Sequence, residues 1–91
     1  MIREHHNDEV IRHFLSGDDS LRLTKNLVSV GGYLFSYGRR IGYWSIDKKQ
    51  VNISRGTVDG EFSKNIDKHI YLVARKCVSY NMRWEWIWDL K

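Results

Sequence analysis

Four histidines, one cysteine and eleven acidic side chains are the residues of this 91-residue chain that could hold a metal or move a proton. Their spacing argues against a metal site. His5, His6 and His13 could meet only on a helix, where His6 and His13 would stand two turns, about 10 Å, apart along the axis. Zinc sites draw on tighter spacings, so no metal and no other cofactor is expected. Ser36, Asp67 and His69 are the residue types of a hydrolytic triad. That mechanism requires the acid to orient the imidazole, yet residues two apart on a helix point about 200° apart. Ser36 also lacks a nucleophile-elbow sequence around it. His69 is therefore read as packing at the edge of a helix–sheet interface. The acidic residues Asp8-Glu9, Asp18-Asp19, Asp59, Glu61, Glu85 and Asp89 are scattered, most of them at caps and turns where local hydrogen bonding accounts for them. The expectation is a protein that is not an enzyme.

The basic and aromatic residues are more informative. On a helix, Lys64, Lys68 and Arg75 fall within about 40° of one another, with Tyr71 beside them. Such a stripe suits a phosphate backbone with a ring available for stacking. It suits an acidic protein surface equally well, and a plainly solvated face is the simplest alternative. Arg39-Arg40 at one hairpin tip and Lys48-Lys49 at the next turn are further basic pairs. Those turns belong at opposite ends of one strand, so one patch cannot hold both. Trp84, Trp86 and Trp88 alternate at period two. Their rings are core, or they grip a partner or a second copy, as tryptophan does at interface hot spots.

The elements that must position these residues follow from local pattern. Asn7–Gly17 reads as a short helix capped by Asn7, with Val10, Ile11, Phe14 and Leu15 on one face and Gly17 ending it. A strand lies within Leu21–Val30, interrupted near Lys25-Asn26, and Gly31-Gly32 turns the chain. In the strand Tyr33–Tyr37, Tyr33, Phe35 and Tyr37 share a face. Gly38-Arg39 fits a two-residue hairpin turn, Arg40–Ile46 returns, Asp47-Lys48-Lys49 turns again, and Gln50–Arg55 is the next strand. Gly56–Gly60 reads as a loop. From Ser63 or Asn65 to Cys77, Ile66, Ile70, Val73, Ala74 and Cys77 form a continuous apolar stripe opposite the basic one. The tail is a final strand, or a terminal helix using Trp84, Ile87 and Trp88.

Ninety-one residues make one domain, residues 1–91. A single cysteine excludes an internal disulfide and points to a reducing cytosol. No apolar run approaches the ~20 residues that span a bilayer, and the polar start Met1–His6 is unlike a signal peptide. A net charge of +4 eases approach to an anionic partner without fixing one.

Ser36-Tyr37-Gly38-Arg39-Arg40-Ile41-Gly42-Tyr43 and Ser63-Lys64-Asn65-Ile66-Asp67-Lys68-His69-Ile70 together carry a resemblance. Leu34 to Arg75 resembles a family of small bacteriophage and prophage domains of unknown function. Its members carry a Ser-Tyr-(Gly/Asn)-x-x-Ile-Ala hairpin, then a Ser-x-Thr-Thr-Ser-(Lys/Arg)-His-Ile helix start. Here Asn65-Ile66 replace the paired threonines and Gly42 the usual alanine. The resemblance implies a viral origin and a curled sheet with one packed helix. It carries no activity with it.

The expected fold is α+β: a small antiparallel sheet, a β-meander of 3–5 strands, with the Ser63–Cys77 helix across one face and a short N-terminal helix at its side. The expected function is that of a non-enzymatic, phage-type binding protein in the cytoplasm of an infected host. It would occlude a surface of a nucleic-acid-handling or defence protein, or of a protein–nucleic-acid complex, as an anti-CRISPR-like or host-takeover inhibitor. The competing reading is direct, largely sequence-independent nucleic-acid binding by the basic helix face. No membrane partner is expected; a homodimer is compatible with both. The binding residues expected are Lys64, Lys68, Tyr71, Arg75, Arg39, Arg40, Trp84, Trp86 and Trp88.

Overall fold

In the computed structural model, residues 2–57 and 64–89 are described, with side chains over 7–54 and 64–87. The order is α1 (Ile2–Leu15), β1 (Arg22–Leu23), β2 (Leu27–Val30), β3 (Tyr33–Ser36), β4 (Arg39–Trp44), β5 (Val51–Thr57), α2 (Lys64–Ser79) and β6 (Trp84–Asp89). The architecture is α+β. The strands form one six-stranded sheet in the order β1-β2-β3-β4-β5-β6, larger than the 3–5 strands expected. The tail is a strand, and β6 pairs parallel to β5 while every other pair is antiparallel. The sheet is therefore mixed, because a helix rather than a turn joins its last two strands.

Both helices lie on one face of the sheet. Leu27, Ser29, Leu34, Ser36, Val51 and Ile53 point to that side and are buried. A β-bulge between β3 and β4 adds Ile41, also fully buried. α1 contributes Val10, Ile11, Phe14 and Leu15, and α2 contributes Ile66, Ile70, Val73, Ala74 and Cys77. The α2 set is the apolar stripe that helical spacing predicts. The indole N–H of Trp44 donates to Phe14 C=O at 2.8 Å, tying α1 to β4.

α1 starts earlier than its apolar residues suggest, so Asn7 is not its cap. Instead, Asn7 Oδ1 accepts a hydrogen bond from Thr24 Oγ1 at 2.9 Å, fastening the helix to the β1–β2 turn. Gly17 ends α1 with φ +82°, as its type predicts. Asn65, one of the two starts read for the second helix, lies inside α2. Ser63, the other start read for this helix, and the Val58–Gly60 part of the expected loop are outside the described residues, while Gly56-Thr57 belong to β5. α2 ends in a Schellman motif. Asn81 has φ +58°, its N–H donates to Val78 C=O, and Met82 N–H donates to Cys77 C=O. That turn reverses the chain and delivers Trp84 to its register opposite Val51.

The first β3–β4 turn is not at Gly38-Arg39. Ser36 pairs with Arg39, and the turn residues are Tyr37 (φ +52°) and Gly38 (φ +80°). Two positive φ values make a type I′ turn, whose twist matches that of the flanking strands. Tyr37 consequently leaves the face of Tyr33 and Phe35, and its ring stacks on His69 at 5.8 Å and 12°.

Candidate interaction surface

The outer face of α2 presents Lys64, Lys68 and Arg75 to solvent, with Tyr71 58% exposed among them. Among the described residues none of these three cations is ion-paired. The contrast is Lys76 one position on, which is turned inward and ion-paired with Asp8 of α1. Lys48 is likewise engaged, with both carboxylate oxygens of Asp19 at 3.0 Å.

The β5–α2–β6 connection brings two features together that are well separated in sequence. The edge of Tyr71 meets Trp86 at 6.2 Å and 74°, and Trp86 meets Trp84 at 5.0 Å and 84°. Both tryptophans are half-buried, packed against the core on one side and open on the other. Beside them, Ala74, Arg75, Val78, Ser79 and Trp84 line a groove of about 320 Å³. Val78 is 65% exposed at its rim. The result is an aromatic step flanked by unneutralised positive charge. Edge-to-face ring pairs of this kind add favourable contact beyond their buried area. The Trp88 side chain lies outside the described residues.

The two arginines of the β3–β4 hairpin do not join this surface as a pair. Register sets Arg39 level with Ser36 and Arg40 level with Phe35, so they go to opposite faces of the sheet. Arg40 lies over the rings of Tyr43 at 5.0 Å and Tyr33 at 6.0 Å. Tyr33 in turn contacts Phe35 and Tyr43, each at 6.3 Å. This aromatic cluster with its cation occupies the sheet face away from the helices. Its signal in the sequence was the period-two run of β3 joined to Tyr43, which only the cross-strand register places opposite Tyr33.

Ser36 and His69 do meet: Ser36 Oγ and His69 Nδ1 are 2.6 Å apart. The contact is sealed, with Ser36 fully buried and His69 7% exposed, so no substrate carbonyl can reach that hydroxyl. Burial, and then the nearby Lys68 charge, hold the imidazole's pKa below its ordinary value. The hydrogen bond between the Ser36 hydroxyl and a neutral His69 ties α2 to β3. Cys77 is buried too, and desolvation pushes its thiol up to about 11, so it stays protonated and inert. Asp18 and Asp47 have their pKa values lowered, each by hydrogen bonds from its own turn: from Ser20 to Asp18, and from the Ser45 hydroxyl and Lys49 N–H to Asp47. Among the described residues no group of three metal-ligating side chains comes together, and no helix is long and apolar enough to cross a membrane.

Comparison of the chain with protein-family models, with curated proteins and with solved structures finds no significant match.

Proposed function

We propose that this chain is a non-enzymatic binding protein that covers an acidic surface of a protein partner with its α2–β6 face. The observation that carries the reading is the juxtaposition of Tyr71, Trp86 and Trp84 with the unpaired cations Lys68 and Arg75. Half-buried aromatic anchors within a charged rim are the composition of a protein interface. The basic rim steers encounter, and the rings supply contact area with little side-chain entropy left to lose. The partner class is a nucleic-acid-handling or defence protein of a host cell, and the mode of action is stoichiometric occlusion. That last step rests on the resemblance of the Ser36–Tyr43 and Ser63–Ile70 motifs to phage domains.

Direct nucleic-acid binding is the second reading, favoured by the Tyr71 ring lying among Lys64, Lys68 and Arg75. One paired experiment separates the two. Wild-type and Lys68→Glu/Arg75→Glu proteins serve as baits in nuclease-treated host lysate, and the same proteins are titrated with bare DNA and RNA at about 150 mM salt. The protein reading expects one host protein retained in stoichiometric amount by wild type and lost by the variant, with weak binding to bare nucleic acid. Submicromolar binding to bare nucleic acid, weakened nearly uniformly across sequences by the variant, would transfer the function to the second reading.

A further inference from the structure

The groove at the C-terminal end of α2 and the cations along that helix together define the shape of what they can hold. The groove, about 320 Å³, is at the small end of the roughly 300–1,000 Å³ typical of ligand pockets. Ala74, Val78 and Trp84 make it mainly apolar, and it suits one large apolar side chain. Arg75 stands at its rim. Going back along α2 from there come Tyr71, 58% exposed, and then Lys68, also exposed. Lys68 and Arg75 are seven residues apart, about 10 Å along the helix axis. An extended segment rising about 3.3 Å per residue covers that distance in about three residues. Residues three apart on a strand turn to opposite sides, so one face of a strand cannot present carboxylates to both cations. A second helix covers the same distance in the same seven residues, which return to one face.

We propose that the occupant is an amphipathic acidic helix of the protein partner, lying antiparallel along α2; this rests on reading the face as one that covers an acidic protein surface. Its contact pattern is Leu-x-x-x-Glu-x-x-Leu-x-x-x-Glu, or the equivalent with other large apolar residues and aspartate. The first apolar residue fills the groove, and the first acid, one turn on, meets Arg75. The second apolar residue packs on Tyr71, and the second acid meets Lys68. On a helix these four positions fall within about 60°, the apolar pair to one side and the acids to the other. α2 is divided in the same way. Tyr71 touches Trp86 and Val78 shares the groove with Trp84, while Lys68 and Arg75 lie further around the helix. Anchors at such spacings are how a groove reads a helix, and antiparallel packing sets the two helix dipoles in opposition. A second copy of this chain does not supply the helix. α1 carries Glu4, Asp8 and Glu9 and α2 only Asp67, with no two of them seven apart. A phosphate backbone would satisfy the cations but leave the groove empty.

The probe is a synthetic alanine-based peptide of about eighteen residues, long enough to be helical, that carries this pattern. It is titrated to about 1 mM into the full chain and followed by amide and indole chemical shifts. A comparison peptide keeps the four contact residues but has proline at one outward-facing position, which breaks the helix. The helical peptide is expected to shift Arg75, Val78, Ser79 and the Trp84 indole, and to bind at least about tenfold more tightly than the proline peptide. Arg75→Glu should weaken binding about tenfold, and lysine in place of the peptide's first glutamate should restore it. Lys49→Glu, on the β4–β5 turn, makes the same charge change away from α2 and should leave binding unchanged. Circular dichroism confirms that each variant folds. Equal binding of the two peptides, or shifts confined to other surfaces, overturns the helical occupant. So does a peptide that fails to bind while wild-type bait still retains a host protein that Lys68→Glu/Arg75→Glu loses; the protein interface then stands without the helix. Binding in the expected register upholds the helix whatever the lysate yields. If neither peptide nor host protein is held, both readings fall.

Discussion

His69 is the residue on which burial and hydrogen bonding act together most clearly. Its imidazole is sealed between Ser36 Oγ and the Tyr37 ring, with Lys68 beside it on the helix. The unfolded chain takes up the proton near the ordinary value of 6.5, whereas the folded chain resists it to lower pH. Stability from this group is thus fully present above about pH 6.5 and falls as pH drops from there through the lowered folded pKa. Denaturant melts at several pH values should show that loss, and His69→Gln should flatten it; an equal pH dependence in the variant would exonerate His69. Gly42 offers a second test. A Cβ built there meets the Phe14 ring at 3.5 Å and Asn52 C=O at 3.5 Å, which is ordinary contact, and its φ is not in the left-handed region. Gly42→Ala should therefore stabilise by about 0.4–1 kcal/mol, by restricting the unfolded chain and adding a methyl to the core. A lower denaturant midpoint would show that β4 cannot accept even that atom.

Among the elements, α2 sets Ile66, Ile70, Val73, Ala74 and Cys77 into the helix–sheet interface. Ile70 is 3% exposed and Val73 fully buried, so Ile70→Ala should cost about 2–4 kcal/mol and Val73→Ala somewhat less. Losses under about half a kcal/mol at both would mean the cavities collapse without penalty. α2 was legible because its apolar and basic residues both keep helical spacing, and the hairpins because Gly31-Gly32 and Asp47–Lys49 punctuate period-two runs. The parts that were not legible depend on distant contacts. Nothing local in Tyr37 announces positive φ; its stacking on His69 comes from the other end of the interface. The first residues of α1, Ile2-Arg3-Glu4-His5-His6, carry no run of helically spaced apolar residues that would announce the helix. The parallel pairing of β6 depends on which way α2 carries the chain, and alternation of Trp84, Trp86 and Trp88 is the same in either direction. For the candidate surface, the Lys64–Arg75 stripe was readable from spacing, but its meeting with the tryptophans was not. That meeting belongs to the crossover.

At the scale of the whole molecule, charge is divided between structure and surface. Asp8 pairs with Arg12 within α1 and with Lys76 of α2, and Asp19, in the connection from α1 to β1, pairs with Lys48 of the β4–β5 turn. The stripe on α2 is spared this role, so its charge can change without dismantling the fold. Lys68→Glu/Arg75→Glu should leave the denaturant midpoint within about 0.5 kcal/mol of wild type while altering partner association and its salt dependence. A large loss of stability would instead assign the stripe to the fold.

The order in which the strands follow one another also sets when each part of the molecule forms. β1 to β5 are joined to their neighbours by short turns, so each pairing closes a small loop. β6 reaches β5 only after all of α2 has been threaded between them, the costliest closure in the chain. The tryptophan strand should therefore be unstructured in the folding transition state. Conservative truncations in β6, such as Ile87→Val, should speed unfolding and barely slow refolding, while truncations in the β3–β4 hairpin should slow refolding. Stopped-flow chevrons measure both limbs. The binding face would then be the part of the molecule that is completed last and opens first, its lifetime set by the docking of one strand.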